Sequence, residues 1–215
     1  MDFEDATYVP DPSGPFYPYS VYTSDAIPGW TGYLGRTQVT DVLYNDFTLG
    51  NASIDIVGPG DGVIEGQYSV VLQPGFDPFG SSQNVGASIS QTGLVPANAQ
   101  SLQFKSFIAD SALASDFSVS FAGHNLSLVT LGTGLNYTLY GADISAFAGQ
   151  LGALTIAASA QPNIAPYYFD SFVFLPSSVP EPSTMSLAII CILFCCWCRT
   201  RSNKSLQATA TAPVS

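Results

Sequence analysis

Cysteine is missing from the first 190 residues of this 215-residue chain: Cys191, Cys195, Cys196 and Cys198 all lie inside one apolar run near the C-terminus. The body therefore has no disulfide, thiol nucleophile or thiolate metal ligand to offer, which excludes a disulfide-stapled secreted scaffold. Histidine is almost as scarce. His124 stands alone in Gly123-His124-Asn125 and reads as a turn residue, and no serine occurs in Gly-x-Ser-x-Gly, so a hydrolase triad has no support. Positive charge is scarce too. Up to Thr184 there are sixteen acids and only Arg36 and Lys105 as bases, a net of −14. Such a surface repels phosphate backbones, so no nucleic acid is expected as a partner. The Gly58-Pro-Gly-Asp-Gly62 stretch lacks the Lys-Ser/Thr ending of a phosphate loop and reads as tight turns. No motif marks out a pair of carboxylates for glycoside chemistry, and the chain is read as not being an enzyme. A positively charged start followed by an apolar segment is also missing, since Met1-Asp-Phe-Glu-Asp5 is its opposite. A secretory start upstream of Met1 is therefore expected.

What is present is apolar and aromatic: 47% of residues are hydrophobic and 13% aromatic against 10% charged, which supports a packed core. Nineteen glycines and fifteen prolines interrupt the chain too often for long helices. Short apolar runs with period-two character predict strands at 37–43, 53–57, 63–72, 83–92, 100–109, 117–122, 126–131, 136–141, 153–158 and 169–175. Ser101-Leu-Gln-Phe-Lys-Ser-Phe-Ile108 and Phe117-Ser-Val-Ser-Phe121 show the clearest alternation, as strands with one face on a core do. Eight to ten such strands, with no repeat of 20–50 residues, predict an all-β sandwich or jelly roll over residues 1–176. The one helix expected is short, at 144–149, with Asp143 capping it and Phe147 anchoring it to the core.

The C-terminus has three parts in fixed order. Val179-Pro180-Glu181-Pro182 lies in a Pro-rich linker, residues 177–184; a 14-residue apolar run covers 185–198; Arg199, Arg201 and Lys204 begin a basic tail, 199–215. At about 1.5 Å per residue the run reaches roughly 21 Å, a short transmembrane helix that snorkelling arginines would help to seat. The basic tail would stay cytoplasmic and the acidic body outside. This arrangement resembles the PEP-CTERM sorting signal. The resemblance implies a membrane-anchored export intermediate and cleavage by the transpeptidase exosortase near Pro180-Glu181-Pro182. The prolines, which favour neither helix nor sheet, would hold that segment extended and accessible. The mature protein would then lie at the cell surface or outside the cell.

Phe3-Glu-Asp5, Ile27-Pro-Gly-Trp-Thr31, Tyr140-Gly-Ala-Asp-Ile-Ser-Ala-Phe-Ala-Gly-Gln150 and Phe169-Asp-Ser-Phe-Val-Phe174 occur in the order seen in galactose-binding-like jelly rolls, which the body resembles. The resemblance implies a structural calcium ion held by Glu4 and Asp170, with Asp2 or Asp5 as further ligands; hard oxygen donors suit that ion. Read from its residues, the segment 16–33 offers Tyr17, Tyr19, Tyr22 and Trp30 as flat amphipathic faces for stacking on sugar rings. Two functional readings result: a non-catalytic surface or matrix protein contributing to a biofilm layer, and a carbohydrate-binding module recognising a polysaccharide. The position of the 16–33 aromatics, exposed or turned inward, discriminates between them.

Overall fold

In Phe117-Ser-Val-Ser-Phe121 the two phenylalanines and Val119 are buried while both serines are half-buried, so the alternation seen in the sequence is a strand with one face on the core. The computed structural model describes residues 1–108, 117–160 and 165–180, and a compact unit runs from Met1 to Val179. The segment 185–198, Glu181, Pro182, Arg199, Arg201 and Lys204 lie outside the described residues. Among the described residues no helix is long and apolar enough to cross a membrane.

The unit is a β-sandwich. One sheet has eight strands: β1 (Ser20–Tyr22), β4 (Asp41–Tyr44), β5 (Ser53–Val57), β6 (Ser69–Gln73), β16 (Tyr167–Leu175), β10 (Ser101–Ile108), β14 (Thr138–Asp143) and β13 (Leu128–Thr133), in that spatial order. The other has six, ordered β12 (His124–Asn125), β11 (Phe117–Phe121), β15 (Leu151–Ala158), β9 (Ala87–Leu94), β2 (Thr31–Leu34) and β3 (Thr37–Val39). A small ribbon pairs β7 (Gly75–Phe76) with β8 (Asn84–Val85). Among the strands named here every pairing is antiparallel except β4 with β5, where Leu43 lies opposite Asp55. Side chains from the inner faces form a single core. Ile54, Ile56, Val70, Leu72, Phe104 and Phe169 come from the larger sheet, and Ile89, Val119, Phe121, Leu154 and Ile156 from the smaller.

All ten sequence-predicted runs overlap strands, but 37–43 divides into β3 and β4 of different sheets, 83–92 divides into β8 and β9, and the runs 126–131 and 136–141 start late at Leu128 and Thr138. Of 63–72 only Ser69 onward is strand, because residues 65–68 form a turn grasped by side chains. The short strands β1, β2, β7 and β12, and the single helical turn α1 (Thr23–Ala26), were not expected. The helix expected at 144–149 is a 3-10 turn, Ser145–Phe147; the Asp143 carboxylate accepts from the Ser145 N–H at 2.8 Å, and the Phe147 ring lies 5.2 Å from Phe121. The body also reaches beyond residue 176. Ser101 Oγ donates to the Ser177 carbonyl at 2.7 Å, and Val179 is half-buried against Gly141, where an added Cβ would meet Val179 Cγ1 at 2.7 Å.

The last strand breaks period two, since Phe169 and Phe172 are three apart yet both fully buried. A bulge resolves the conflict: Ser171 takes φ 56°, its N–H donates to Asp170 Oδ1 at 2.6 Å, and the register against β10 shifts between Gln103 and Lys105. The extra residue restores the inward phase for Phe172.

Candidate functional site

A cavity lies beside the end of the larger sheet that carries β1, β4 and β5, near β3 of the smaller sheet. The cavity there has a volume of about 190 Å³ and is lined from four separate stretches of chain, including Phe16, Gln38, Val39, Asp41, Leu43, Thr48, Asn51, Ser53 and Phe79. That is room for on the order of ten water-sized positions, close to the number of non-hydrogen atoms in one hexose.

Each wall is held by local chemistry. Asp11 begins a turn in which its Oδ1 accepts from Ser13 N (2.8 Å) and Ser13 Oγ (2.7 Å), and the Asp11 N–H donates to the Ser20 carbonyl at 2.8 Å. Ser20 Oγ accepts from the Phe16 N–H at 3.0 Å, so the Pro15-Phe16 arm is tied back onto β1. On the opposite wall Asp77 Oδ1 accepts from the Phe79 N–H at 2.9 Å. The floor segment 48–51 is pinned by Gln73, whose Nε2 donates to the Thr48 carbonyl (3.0 Å), Thr48 Oγ1 (2.9 Å) and the Asn51 carbonyl (3.0 Å). Gly75 permits the close passage of that segment, because a Cβ there would lie 2.4 Å from the Gly50 carbonyl oxygen.

Buried polar atoms almost always find partners, so those that lack one carry information. Among the described residues four buried side-chain atoms have none: Asp41 Oδ1, Ser53 Oγ, Asp55 Oδ1 and Ser106 Oγ. Asp41 and Ser53 both line this cavity. The Asp41 and Asp11 carboxyls stand within reach of each other. Ser13, Asp41 and Tyr22 hydrogen bonds push Asp11 down to about 2, while burial, then the Asp11 contact, pushes Asp41 up.

The sequence-predicted aromatics divide. Tyr17 and Tyr19 are 60% and 50% exposed on the arm that carries Phe16. Tyr22 keeps an exposed ring and places its hydroxyl on Asp11, which raises its own pKa. Trp30 corrects the expectation. It is buried, its ring 5.9 Å from both Phe3 and Phe172, because the turn at Ile27–Gly29 sends it into the core. It cannot stack on a sugar. Asp11, Asp41, Ser53 and Phe79 were not singled out by sequence. An acid interrupting the apolar run 37–43, and Asp-Pro-Ser-Gly before an aromatic cluster, are the signals that could have found the two carboxyls.

The expected calcium ligands also meet, but as hydrogen-bond acceptors. Glu4 takes the Gln67 N–H on both oxygens at 3.0 Å and the Tyr68 N–H at 3.3 Å. Asp170 Oδ2 takes Ser69 Oγ (2.7 Å) and the Glu65 N–H (3.2 Å), while Oδ1 takes the Ser171 N–H. Burial, partly offset by these donors, pushes Asp170 up to about 6. Calcium needs six to eight oxygens turned toward it, whereas N–H and O–H groups occupy these carboxylates, and among the described residues no three His, Cys, Asp or Glu side chains gather. The residues as arranged do not fit the ion; the two acids clamp the 65–69 turn instead.

No family model and no curated protein matches the chain. Similar solved structures include a cyclase from Fischerella sp. TAU (16% identity over 83% of this chain and 95% of that one, TM-score 0.45). A second is the Stig cyclase Fisc from the same organism, in complex with (3Z)-3-(1-methyl-2-pyrrolidinylidene)-3H-indole (15%, 75% and 89%, TM-score 0.42). A third is a family 11 carbohydrate-binding module from Clostridium thermocellum in complex with beta-1,3-1,4-mixed-linked tetrasaccharide (10%, 76% and 97%, TM-score 0.39).

Proposed function

We propose that the β-sandwich is a non-catalytic carbohydrate-binding module, exported and displayed at the cell surface through the PEP-CTERM-like C-terminal segment. One observation carries the binding half of this reading: an open groove pairs exposed aromatic faces, Phe16 and Phe79, with two buried oxygens, Asp41 Oδ1 and Ser53 Oγ, to which no N–H or hydroxyl among the described residues donates. Sugars present just this combination, an apolar ring face edged by hydroxyls that can donate to such oxygens. Phe79 is 57% exposed and contributes little to the core, so its removal tests the site without unfolding the protein. Phe79→Ala is expected to weaken binding to a responsive polysaccharide by about tenfold or more, from the apolar area no longer covered, with an unchanged melting midpoint. Pull-down and calorimetry over a polysaccharide panel would read this, and no binding to any member would remove the reading.

The export half rests on the order of Val179-Pro180-Glu181-Pro182, the apolar run and Arg199, Arg201 and Lys204. Exosortase and the membrane are the partners it implies. In cells bearing an exosortase and a tagged chain, the expected result is a surface fraction whose mass lacks the segment after the motif. Deletion of Pro180-Glu181-Pro182 is expected to leave the full mass in the membrane fraction. Identical masses with and without the motif would reject the assignment.

A further inference from the structure

The groove carries acid and no base: among the described residues that line it none is Lys, Arg or His. Asp41 and Ser53 open the adjacent parallel strands β4 and β5, and each stands two residues before the paired Leu43 and Asp55. Parallel neighbours lie about 4.8 Å apart and side chains two apart share a face, so continuing this register brings Asp41 and Ser53 to neighbouring positions on adjacent strands, and both line the cavity. Ser53 is 5% exposed, and its Oγ has no partner. Asp41 Oδ2 is already engaged by Thr40 Oγ1 at 3.0 Å, which leaves Oδ1 as the free buried acceptor. Asp11 from the preceding turn and Tyr22 from β1 close this side, and Asp25 adds negative potential.

Resting on the carbohydrate-binding reading, we infer that the groove selects amine-bearing sugars: it takes a glucosamine unit of a polysaccharide, with the ammonium on Asp41 Oδ1 and Ser53 Oγ. An ammonium brings three donors and a positive charge. It supplies donors to both oxygens and sets a positive charge beside the Asp41 and Asp11 carboxyls. A neutral hydroxyl supplies one donor and no charge. A uronate or sulfated sugar brings the wrong charge to two carboxyls in a body of net −14. A metal ion finds too few oxygen ligands, since among the described residues no three acids gather.

Isothermal titration of the full chain with three hexamers tests the assignment: β-1,4-linked glucosamine, its N-acetylated counterpart, and galacturonic acid. The glucosamine hexamer is expected to bind at least about tenfold tighter than the N-acetylated one, the scale of a hydrogen bond to a charged group, and the uronate most weakly. Asp41→Asn is expected to bring the glucosamine and N-acetylglucosamine affinities together. Asp61→Asn, an exposed acid outside the groove, is expected to keep their ratio, which separates a built site from general attraction to an acidic surface. Circular dichroism melts confirm that each variant is folded. Equal binding of the acetylated and free-amine hexamers, a preference for the uronate, or a preference that survives Asp41→Asn would overturn the amine assignment and leave carbohydrate binding standing. Failure of all three hexamers together with the polysaccharide panel would remove both.

Discussion

At pH 9 the Asp55→Asn protein is expected to be more stable than the parent by about 2–4 kcal/mol, and the advantage is expected to vanish near pH 4. Asp55 is not among the core residues that Ile54 and Ile56 join on β5, yet it is only 1% exposed, with Asn45, Asp46 and Tyr168 beside it. Its Oδ2 accepts one N–H, from Asp46 at 3.2 Å, and its Oδ1 accepts none. Burial, with a smaller push from the Asp46 and Asp61 charges, raises its pKa from 3.8 to about 8. Each unit of that shift corresponds to about 1.4 kcal/mol of preference for the neutral form. The penalty for holding the anion in the fold is therefore on the order of 5 kcal/mol above pH 8. The amide keeps the oxygen that Asp46 donates to and removes the charge, but leaves a buried NH₂ group without a partner, which costs about 1–3 kcal/mol.

The sign follows from the protons held. Between pH 3.8 and 8 the folded protein keeps a proton on Asp55 that the unfolded chain has released, so stability falls as pH rises through that window. Asp170, raised to about 6, adds to the slope between 3.8 and 6. Asp11 works in the opposite sense: depressed to about 2, it stabilises above its unfolded value, and that contribution is lost only as pH falls from about 4 toward 2. Chemical denaturation at pH 4.5, 7 and 9 should place the parent's maximum at the acid end and give the variant a much flatter profile. A variant that loses stability at pH 9 would show that Asp55 is held as a needed anion.

The sequence and the structure agree where one face of a strand is buried and the other is wet, as in β10 and β11, because alternation is then enforced by the core. Strands of two to four residues carry no period to read: β1 and β2 are held by their neighbours, β1 through Ser20 opposite Leu43 and β2 through Gly32 opposite Ile89. Whether Trp30 would be displayed or buried also lay outside the local pattern, since it depends on Phe3 and Phe172 from the two ends of the body. The exposure of the aromatic arm 16–22 was legible because four aromatic rings in seven residues exceed what a narrow sandwich edge can bury. Its polar partners were not. Asp11 comes to Asp41 because its turn is tied to β1 and β1 pairs with β4, and Ser53 comes beside β4 through the parallel β4–β5 pairing, long-range choices that no motif encodes.

Phe104→Ala is expected to destabilise the protein by about 3–5 kcal/mol, the largest single loss in the core. Phe104 lies on β10 between β16 and β14, is fully buried, and is the ring that joins both halves of the aromatic core. It stacks on Phe172 at 5.1 Å and 16° and on Tyr140 at 5.5 Å and 21°, and it meets Phe169 and Phe117 at 6.3 Å each. Truncation leaves a cavity walled by four rigid rings that are themselves fixed in strands, so little collapse can fill it. Phe104→Leu retains most of the volume and is expected to cost about 1–2 kcal/mol, which separates the cavity from the mere loss of aromaticity. At about 2–4 °C per kcal/mol for a body of this size, the alanine variant should melt roughly 10 °C below the parent, with an unchanged denaturant slope. A loss under about 1 kcal/mol would mean that Phe104 does not sit between the sheets, and the β10 register against β16 and β14, on which the bulge at Ser171 and the clamp at Asp170 both depend, would fall with it.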